Sequence, residues 1–246
     1  MDQNNSRIIN EIRHGEKISA NAEKIWGHAK KSGQARVKRR IDLMKKLGMI
    51  RTGSRLIELG CGTGEFTKHL AETGADILAI DISPDLLGIA RKKIYDKPNV
   101  KFEICDIEKM ENIPDDNFSC AVGNSILHHV DYIGCLKHLL IKLRAGGRII
   151  FSEPNMMNPQ IAAQKNIPWL KRILGDSPDE IAFFRWKLAR ELIDLGYKNV
   201  EVKNFDFLHP ALPDFLAKIM ERPLCRLEKI PVIKEISGSL LIYAEK

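Results

Sequence analysis

The stretch "RLIELGCGTGEF", residues 55–66, packs three glycines into five positions directly after a short apolar run. That run reads as a buried strand, and the following "EFTKHLAETG" (65–74) reads as a helix that stops at a glycine. Glycines at a strand-to-helix turn permit a tight bend and let backbone N–H groups approach a ligand. Neither common phosphate site fits. A dinucleotide turn needs G-x-G-x-x-G, and Glu65 stands where its third glycine belongs; a P-loop needs Lys then Ser or Thr, and Gly64 is followed by Glu65 and Phe66. A carboxylate at that turn repels a pyrophosphate. The expected ligand has a ribose and adenine but no phosphate.

Working outward, short β-like runs alternate with amphipathic stretches. "DILAID" (76–81), "VKFEIC" (100–105), "FSCAVGN" (118–124) and "RIIFSE" (148–153) read as buried strands. Between them, "SPDLLGIARKKIY" (83–95) opens with Ser83 as cap and Pro84 at the first helical position. "DYIGCLKHLLIKLRAGG" (131–147) is expected to be helical from an Asp cap to the double glycine. Such alternation means right-handed crossovers and a mostly parallel sheet covered on both faces, an α/β doubly wound fold that binds ligands beyond its strands' carboxyl ends. Asp81 ends the second strand about 20 residues past the loop, the spacing of an acid that accepts ribose hydroxyls. Asp106 follows the third strand, so a second carboxylate is expected at the same crevice. Later, "SPDEIAFFRWKLARELIDLG" (177–196) is expected to be a helix with a capping box, Ser177 with Glu180, and Pro178 in its first turn. "YKNVEVKNFDF" (197–207) and "GSLLIYAEK" (238–246) read as two more strands.

With these motifs in this order, the sequence resembles the class I S-adenosylmethionine-dependent methyltransferases of small-molecule type. "LIELGCGTGEF" is similar to their first motif, "AIDIS" to the ribose-binding acidic loop, "CDIE" to the adenine-contacting segment, "FSCAVGNSILHHV" to the fourth-strand motif and "LRAGGRIIFSEPN" to the turn into the fifth strand. The resemblance implies a Rossmann-like sheet of seven strands in the order 3-2-1-4-5-7-6, the last antiparallel, with helices on both faces. It implies S-adenosyl-L-methionine as cofactor and S-adenosyl-L-homocysteine as product. It assigns Glu58, Gly60, Cys61, Gly62, Asp81, Ile82, Asp106, Ile107 and Asn124 to cofactor binding. Gly60, Cys61 and Gly62 would meet the methionine part, Asp81 the ribose, Ile82 the adenine face, and Asp106 with Ile107 its amino edge.

Methyl transfer from a sulfonium needs an aligned acceptor lone pair and, for a hydroxyl or ammonium acceptor, removal of a proton. His128 and His129 follow the fourth strand and are the catalytic candidates. His128 matches a histidine that helps catalysis in phosphoethanolamine methyltransferases, although Asn124 replaces their preceding Asp. Glu153 and Asn155 after the fifth strand, with Arg185 and His209, are candidates for touching the acceptor. The expected acceptor is a small or amphipathic metabolite, methylated at oxygen, nitrogen or carbon.

Length and composition allow one domain with additions: a basic helical cap over residues 1–50 and the methyltransferase domain over 51–246, with lid-like insertions near 154–176 and 213–237. Residues 1–51 carry 13 Lys or Arg against 5 Asp or Glu, so the net charge of +7 resides there. That segment, with "KKSGQARVKRR" (30–40), is the basis for two rival expectations: an RNA or rRNA methyltransferase that grips phosphates, and a protein on an anionic membrane surface with a lipid or quinone acceptor. No Asn or Asp-Pro-Pro-aromatic signature, the mark of related enzymes that methylate exocyclic amines of nucleobases or glutamine amides, follows the fourth strand, which argues against DNA adenine methylation. The five cysteines are odd in number and scattered without a C-x-x-C, so neither a disulfide framework nor a metal site is expected. No secretory signal or membrane span is read, and the cytoplasm is the expected compartment.

Overall fold

The computed structural model describes residues 3–173, 180–209 and 212–246. Three helices, α1 (Gln3–Ile18), α2 (Ala22–Ile25) and α3 (Lys31–Gly48), precede the first strand. Then come β1 (Arg55–Leu59), α4 (Glu65–Ala71), β2 (Asp76–Asp81), α5 (Pro84–Lys93), β3 (Val100–Ile104), β4 (Phe118–Asn124), α6 (Tyr132–Lys142) and β5 (Leu143–Pro154). The chain closes with α7 (Pro159–Asn166), α8 (Pro168–Ile173), α9 (Arg185–Asp194), β6 (Lys198–Phe205), α10 (Asp214–Leu227) and β7 (Ser239–Glu245).

The seven strands form one sheet in the order β3-β2-β1-β4-β5-β7-β6. Strands β1 to β5 pair in parallel, and β7 runs antiparallel to both neighbours. This is the Rossmann-like methyltransferase sheet that the resemblance implies. From β1 the chain moves to β2 and β3 on one side and returns to β4 on the other, which opens a crevice at the carboxyl ends of β1 and β4.

Alternation along β1 sends its residues to opposite faces. Ile57 and Leu59 join a core with Leu136 and Leu139 of α6 and Leu188 and Leu192 of α9. Leu56 joins a second core with Val37, Ile41 and Met44 of α3 and Leu70 of α4. Glu58 shares the face of Leu56 and is buried there, an acid among the apolar residues of the strand.

Two helix boundaries differ from expectation. Helix α6 stops at Lys142, four residues before Gly146, because Leu143 is already extended and paired with Phe118 of β4. The Lys142 ammonium is held by the Ile113 carbonyl and Asp115, each at 2.7 Å. Helix α9 begins at Arg185, with Phe184 at its cap, and not at the proposed capping box. Ser177 and Pro178 of that box lie outside the described residues, and Glu180 precedes the helix. Residues 180–184 instead run beside the end of β5: the Phe183 N–H donates to the Pro154 carbonyl, and the Met156 N–H donates to the Phe183 carbonyl. Burial of Ala182 and Phe183 favours this extended pairing over a further helical turn.

The arginines of the basic segment turn inward, while Lys30, Lys31 and Lys38 stay exposed. Arg40 of α3 is buried; its guanidinium donates to Ser152 and Ser239 hydroxyls at 3.0 Å and meets Asp206 at 2.6 Å. Arg36 reaches the same carboxylate at 2.8 Å, and Arg39 grips Glu228 through both terminal nitrogens. These pairs tie α3 to β5, β7 and the segment after β6. Burial alone would raise the Asp206 carboxyl, but the Arg40 and Arg36 charges outweigh it and hold it below the usual carboxylate range. Such a depressed acid stabilises the fold above its unfolded pKa, and this stability is lost as pH falls below about 4 and through the folded value. Replacing Asp206→Asn is expected to leave Arg40 buried without its charge partner and cost about 3–5 kcal/mol. Thermal unfolding across pH 6 to 2 reads both effects. A variant with the wild-type melting temperature at pH 6, or with an equally steep acid limb, would contradict the assignment.

Candidate active site

The ends of four adjacent parallel strands meet around one cavity of about 320 Å³, a volume in the range of small-molecule sites. Gly60 leaves β1 with φ +64, Gly62 follows with φ +52, and Gly64 enters α4 with φ +76. At Gly60 the requirement is also steric: a Cβ there would lie 2.5 Å from the Ile126 side chain. The turn is clipped to the next strand by Asp81, whose two carboxylate oxygens accept the N–H groups of Gly62 at 2.8 Å and Ser83 at 2.9 Å. Burial nevertheless leaves the Asp81 carboxyl above its ordinary range, since those hydrogen bonds only partly compensate.

All nine residues expected to hold the cofactor line this cavity: Glu58, Gly60, Cys61, Gly62, Asp81, Ile82, Asp106, Ile107 and Asn124. Among the described residues, eight buried side-chain polar atoms have no hydrogen-bond partner, and six belong to residues of this wall. They are His28 Nδ1, Glu58 Oε2, Thr63 Oγ1, Asp106 Oδ2, Asn124 Oδ1 and His129 Nδ1. Buried polar atoms are normally paired, so a wall with so many unspent ones is suited to a polar ligand. Glu65, also on the wall, is an ionised carboxylate: burial raises it, but Lys68 and Lys93 outweigh this. With Asp81 and Asp106 opposite, the wall disfavours a pyrophosphate and accepts a cation.

The N-terminal helices also line the cavity, through residues that the sequence did not single out. Glu11, His14 and Gly15 of α1 line the cavity, as do Trp26 and His28 after α2. Trp26 stands against Gly62, where a Cβ would meet its ring at 3.0 Å, and Gly15 is fitted against Ser83, the cap residue of α5. Burial, opposed by Glu65 and Glu23, lowers the His28 pKa.

The two histidines separate. His129 lines the cavity, whereas His128 is buried behind it, with Nδ1 2.7 Å from Glu153 Oε2. Glu153 is spent on that contact and on the N–H groups of Ile126 and Leu127, both at 2.9 Å. Burial and the neighbouring His129 charge lower the His128 pKa despite Glu153. Burial would lower His129 as well, but Glu11 and Glu180 reverse it and raise its pKa. The expected acceptor-contacting residues do not reach the cavity. Asn155 braces the carbonyls of Glu235 and Ser237, Arg185 pairs with Glu235, and His209 pairs with Gln160. Their hydrogen-bonding groups are committed to the packing of the chain after β5, which their positions in the sequence do not reveal.

Comparison with known proteins agrees with this geometry. Residues 57–151 match the family model described as a methyltransferase domain. A demethylmenaquinone methyltransferase of Tropheryma whipplei (strain Twist) is 29% identical over 188 residues, covering 68% of this chain and 77% of that protein. A ubiquinone/menaquinone biosynthesis C-methyltransferase of Pseudomonas fluorescens (strain Pf0-1) is 32% identical over 122 residues, 44% of this chain and 46% of that protein. The crystal structure of an S-adenosylmethionine-dependent methyltransferase from Mesorhizobium loti superposes with a TM-score of 0.59 at 22% identity, over 80% of this chain and 93% of that one. Fold and glycine turn together define the doubly wound adenosyl-binding class. Within it, the chain is a class I S-adenosylmethionine-dependent methyltransferase, an enzyme whose methyl donor is S-adenosylmethionine.

Two outcomes test the site. Gly60→Ala combines a disfavoured φ with the clash against Ile126, so it is expected to cost about 1–3 kcal/mol of stability and to weaken S-adenosylhomocysteine binding. Calorimetry and thermal unfolding check this, and wild-type values for both would contradict it. Burial pushes the Glu58 carboxyl up to about 8, the Asp81 charge adds to this, and the Thr67 hydroxyl offsets part. The ligand-free fold therefore holds a proton that the unfolded chain releases, so the contribution of Glu58 to stability falls as pH rises from 4.5 through about 8. Glu58→Gln is expected to flatten this decline in melting temperature; an unchanged slope would refute the shift.

Proposed function

We propose that this methyltransferase acts on a small, amphipathic acceptor bearing a hydroxylated ring, of the kind named for its quinone-methylating relatives. The observation that carries this reading is the cavity running from the glycine turn to His129 and α1, whose walls join apolar side chains with unspent polar atoms. In this reading the backbone of Gly60 to Gly62 and the Glu58 carboxylate face the methionine end of the cofactor. Asp81 accepts the ribose hydroxyls, Ile82 and Ile107 pack on the adenine, and Asp106, beside Asn124, takes its amino edge. When bound, the cofactor supplies an electrophilic methyl beside a sulfonium. The chain's part is to hold the acceptor in line and keep water out. His129, Glu11 and Val130 form the acceptor wall, and His128 positions His129 from behind.

The RNA reading is weakened by the inward turn of the basic segment's arginines, since Arg36, Arg39 and Arg40 are already paired with Asp206 and Glu228. A surface role at the membrane is compatible with an amphipathic acceptor and needs no spanning helix; no helix of the described residues is long and apolar enough to cross a bilayer.

The test is methyl transfer from labelled S-adenosylmethionine to a demethylated quinol in detergent, to a soluble dihydroxyarene and to tRNA. Transfer to a ring acceptor is expected, with Asp81→Asn weakening S-adenosylhomocysteine binding by at least about tenfold, the worth of one charge-assisted hydrogen bond. Labelling of tRNA alone would overturn the proposal.

A further inference from the structure

Three side chains with metal-ligating atoms converge at the acceptor wall, two neighbours from the turn after β4 and one from the segment before α9. One donor atom each from His128, His129 and Glu180 lies within 4.8 Å of the other two. The His129 Nδ1 atom is buried and makes no hydrogen bond; its separation from Glu180 Oε1 is 3.6 Å, and from Glu11 Oε1 3.7 Å. These separations are too long for hydrogen bonds. They are close to the edge of a tetrahedron with bonds of about 2.0–2.2 Å, the distance between two ligands of one zinc-like ion, roughly 3.3–3.6 Å.

The surroundings of His128 point the same way. Its Nδ1 faces Glu153 Oε2 at 2.7 Å, and Glu153 is itself anchored by two backbone N–H groups. A carboxylate in that position holds the proton on Nδ1, fixes the ring and leaves the Nε2 lone pair for a metal, the usual outer partner of a metal-binding imidazole. On the other side, Lys165 holds Glu180 Oε2 at 2.6 Å, which orients the carboxylate with Oε1 toward His129.

We infer that His128, His129 and Glu180 form a binding site for one first-row divalent cation of the zinc type, with its remaining coordination position open to the cavity. Two imidazoles and one carboxylate with an open position are a donor set used by catalytic zinc. Only His129 of the three lines the cavity, so the ion would sit in the wall and present one face to the acceptor. There it would draw a ring hydroxyl of the acceptor into coordination and favour transfer of its proton to the Glu11 carboxylate on the same wall, so that the oxygen lone pairs activate the ring for methylation. That role rests on the ring-acceptor reading above; the binding of the ion does not.

The experiment uses the full chain, stripped with a chelator, with no acceptor present. Zinc is titrated calorimetrically, and cobalt is followed by its visible absorption. One equivalent of either ion is expected to bind, raising the melting temperature by mass action. Glu180→Gln and His129→Ala should each weaken binding by at least about tenfold, and Glu153→Gln by about 10- to 100-fold through the orientation of His128. Near-UV circular dichroism of Glu180→Gln shows whether the fold is retained, so one variant suffices if the histidine replacement does not fold. Absence of stoichiometric binding would overturn the inference. Undiminished binding by folded Glu180→Gln and His129→Ala would overturn it too, by placing the ion elsewhere. Because these readouts need no methyl transfer, failure of the ring-acceptor assay leaves them intact, and the reverse.

Discussion

The site depends on a steric constraint at one residue. Gly60 leaves β1 with a positive φ, and the Ile126 side chain occupies the space in which any other residue would carry its Cβ. The turn is thus pressed from above by the segment after β4 and clipped from the side by Asp81 at the end of β2. Three strand ends are locked into one arrangement before any ligand arrives. That preorganisation reduces the ordering cost of binding. It also explains why the functional residues cluster at the β1/β4 switch point, where the crossovers diverge and leave backbone groups without neighbours.

Charge then selects what the crevice accepts. Asp81, Asp106 and Glu65 bring carboxylates to a turn that in dinucleotide-binding proteins would receive a pyrophosphate, and Glu58, its carboxyl pushed up to about 8 by burial, adds a fourth acid. Burial raises both Glu58 and Asp81, the signature of acids held without full compensation. A ligand bearing hydroxyls, an amine and a sulfonium supplies that compensation, and a polyphosphate does not. Over this acidic floor the N-terminal helices form a roof. The helix α3 below them is fastened to the sheet by Arg40, whose partners Ser152, Ser239 and Asp206 come from three later segments.

The strands and the cofactor acids were legible because both signals are local. Apolar runs, glycines, a carboxylate at the end of β2 and another just past β3 specify a crevice without knowledge of what packs over it. Two helix limits misled for the opposite reason: pairing of Leu143 with Phe118, and of Phe183 with the end of β5, overrode glycine and capping signals of similar local strength. The acceptor side was read less well. Glu153, Asn155, Arg185 and His209 occupy plausible positions in the chain, yet their polar atoms are consumed by nearby backbone and side chains.

What the amino-acid order determined alone is the doubly wound sheet, its strand order by resemblance, and a glycine turn flanked by acids that suits an adenosyl donor without phosphate. Tertiary packing decided the rest. It placed His129 rather than His128 on the cavity wall, brought Glu11 and Glu180 to it from more than 50 residues away, and turned the basic arginines inward onto Asp206 and Glu228. The physical reason is range: backbone conformation and periodicity are written in neighbouring residues, whereas the partner of a charge or a lone pair depends on which segments the folded core brings within a few ångströms.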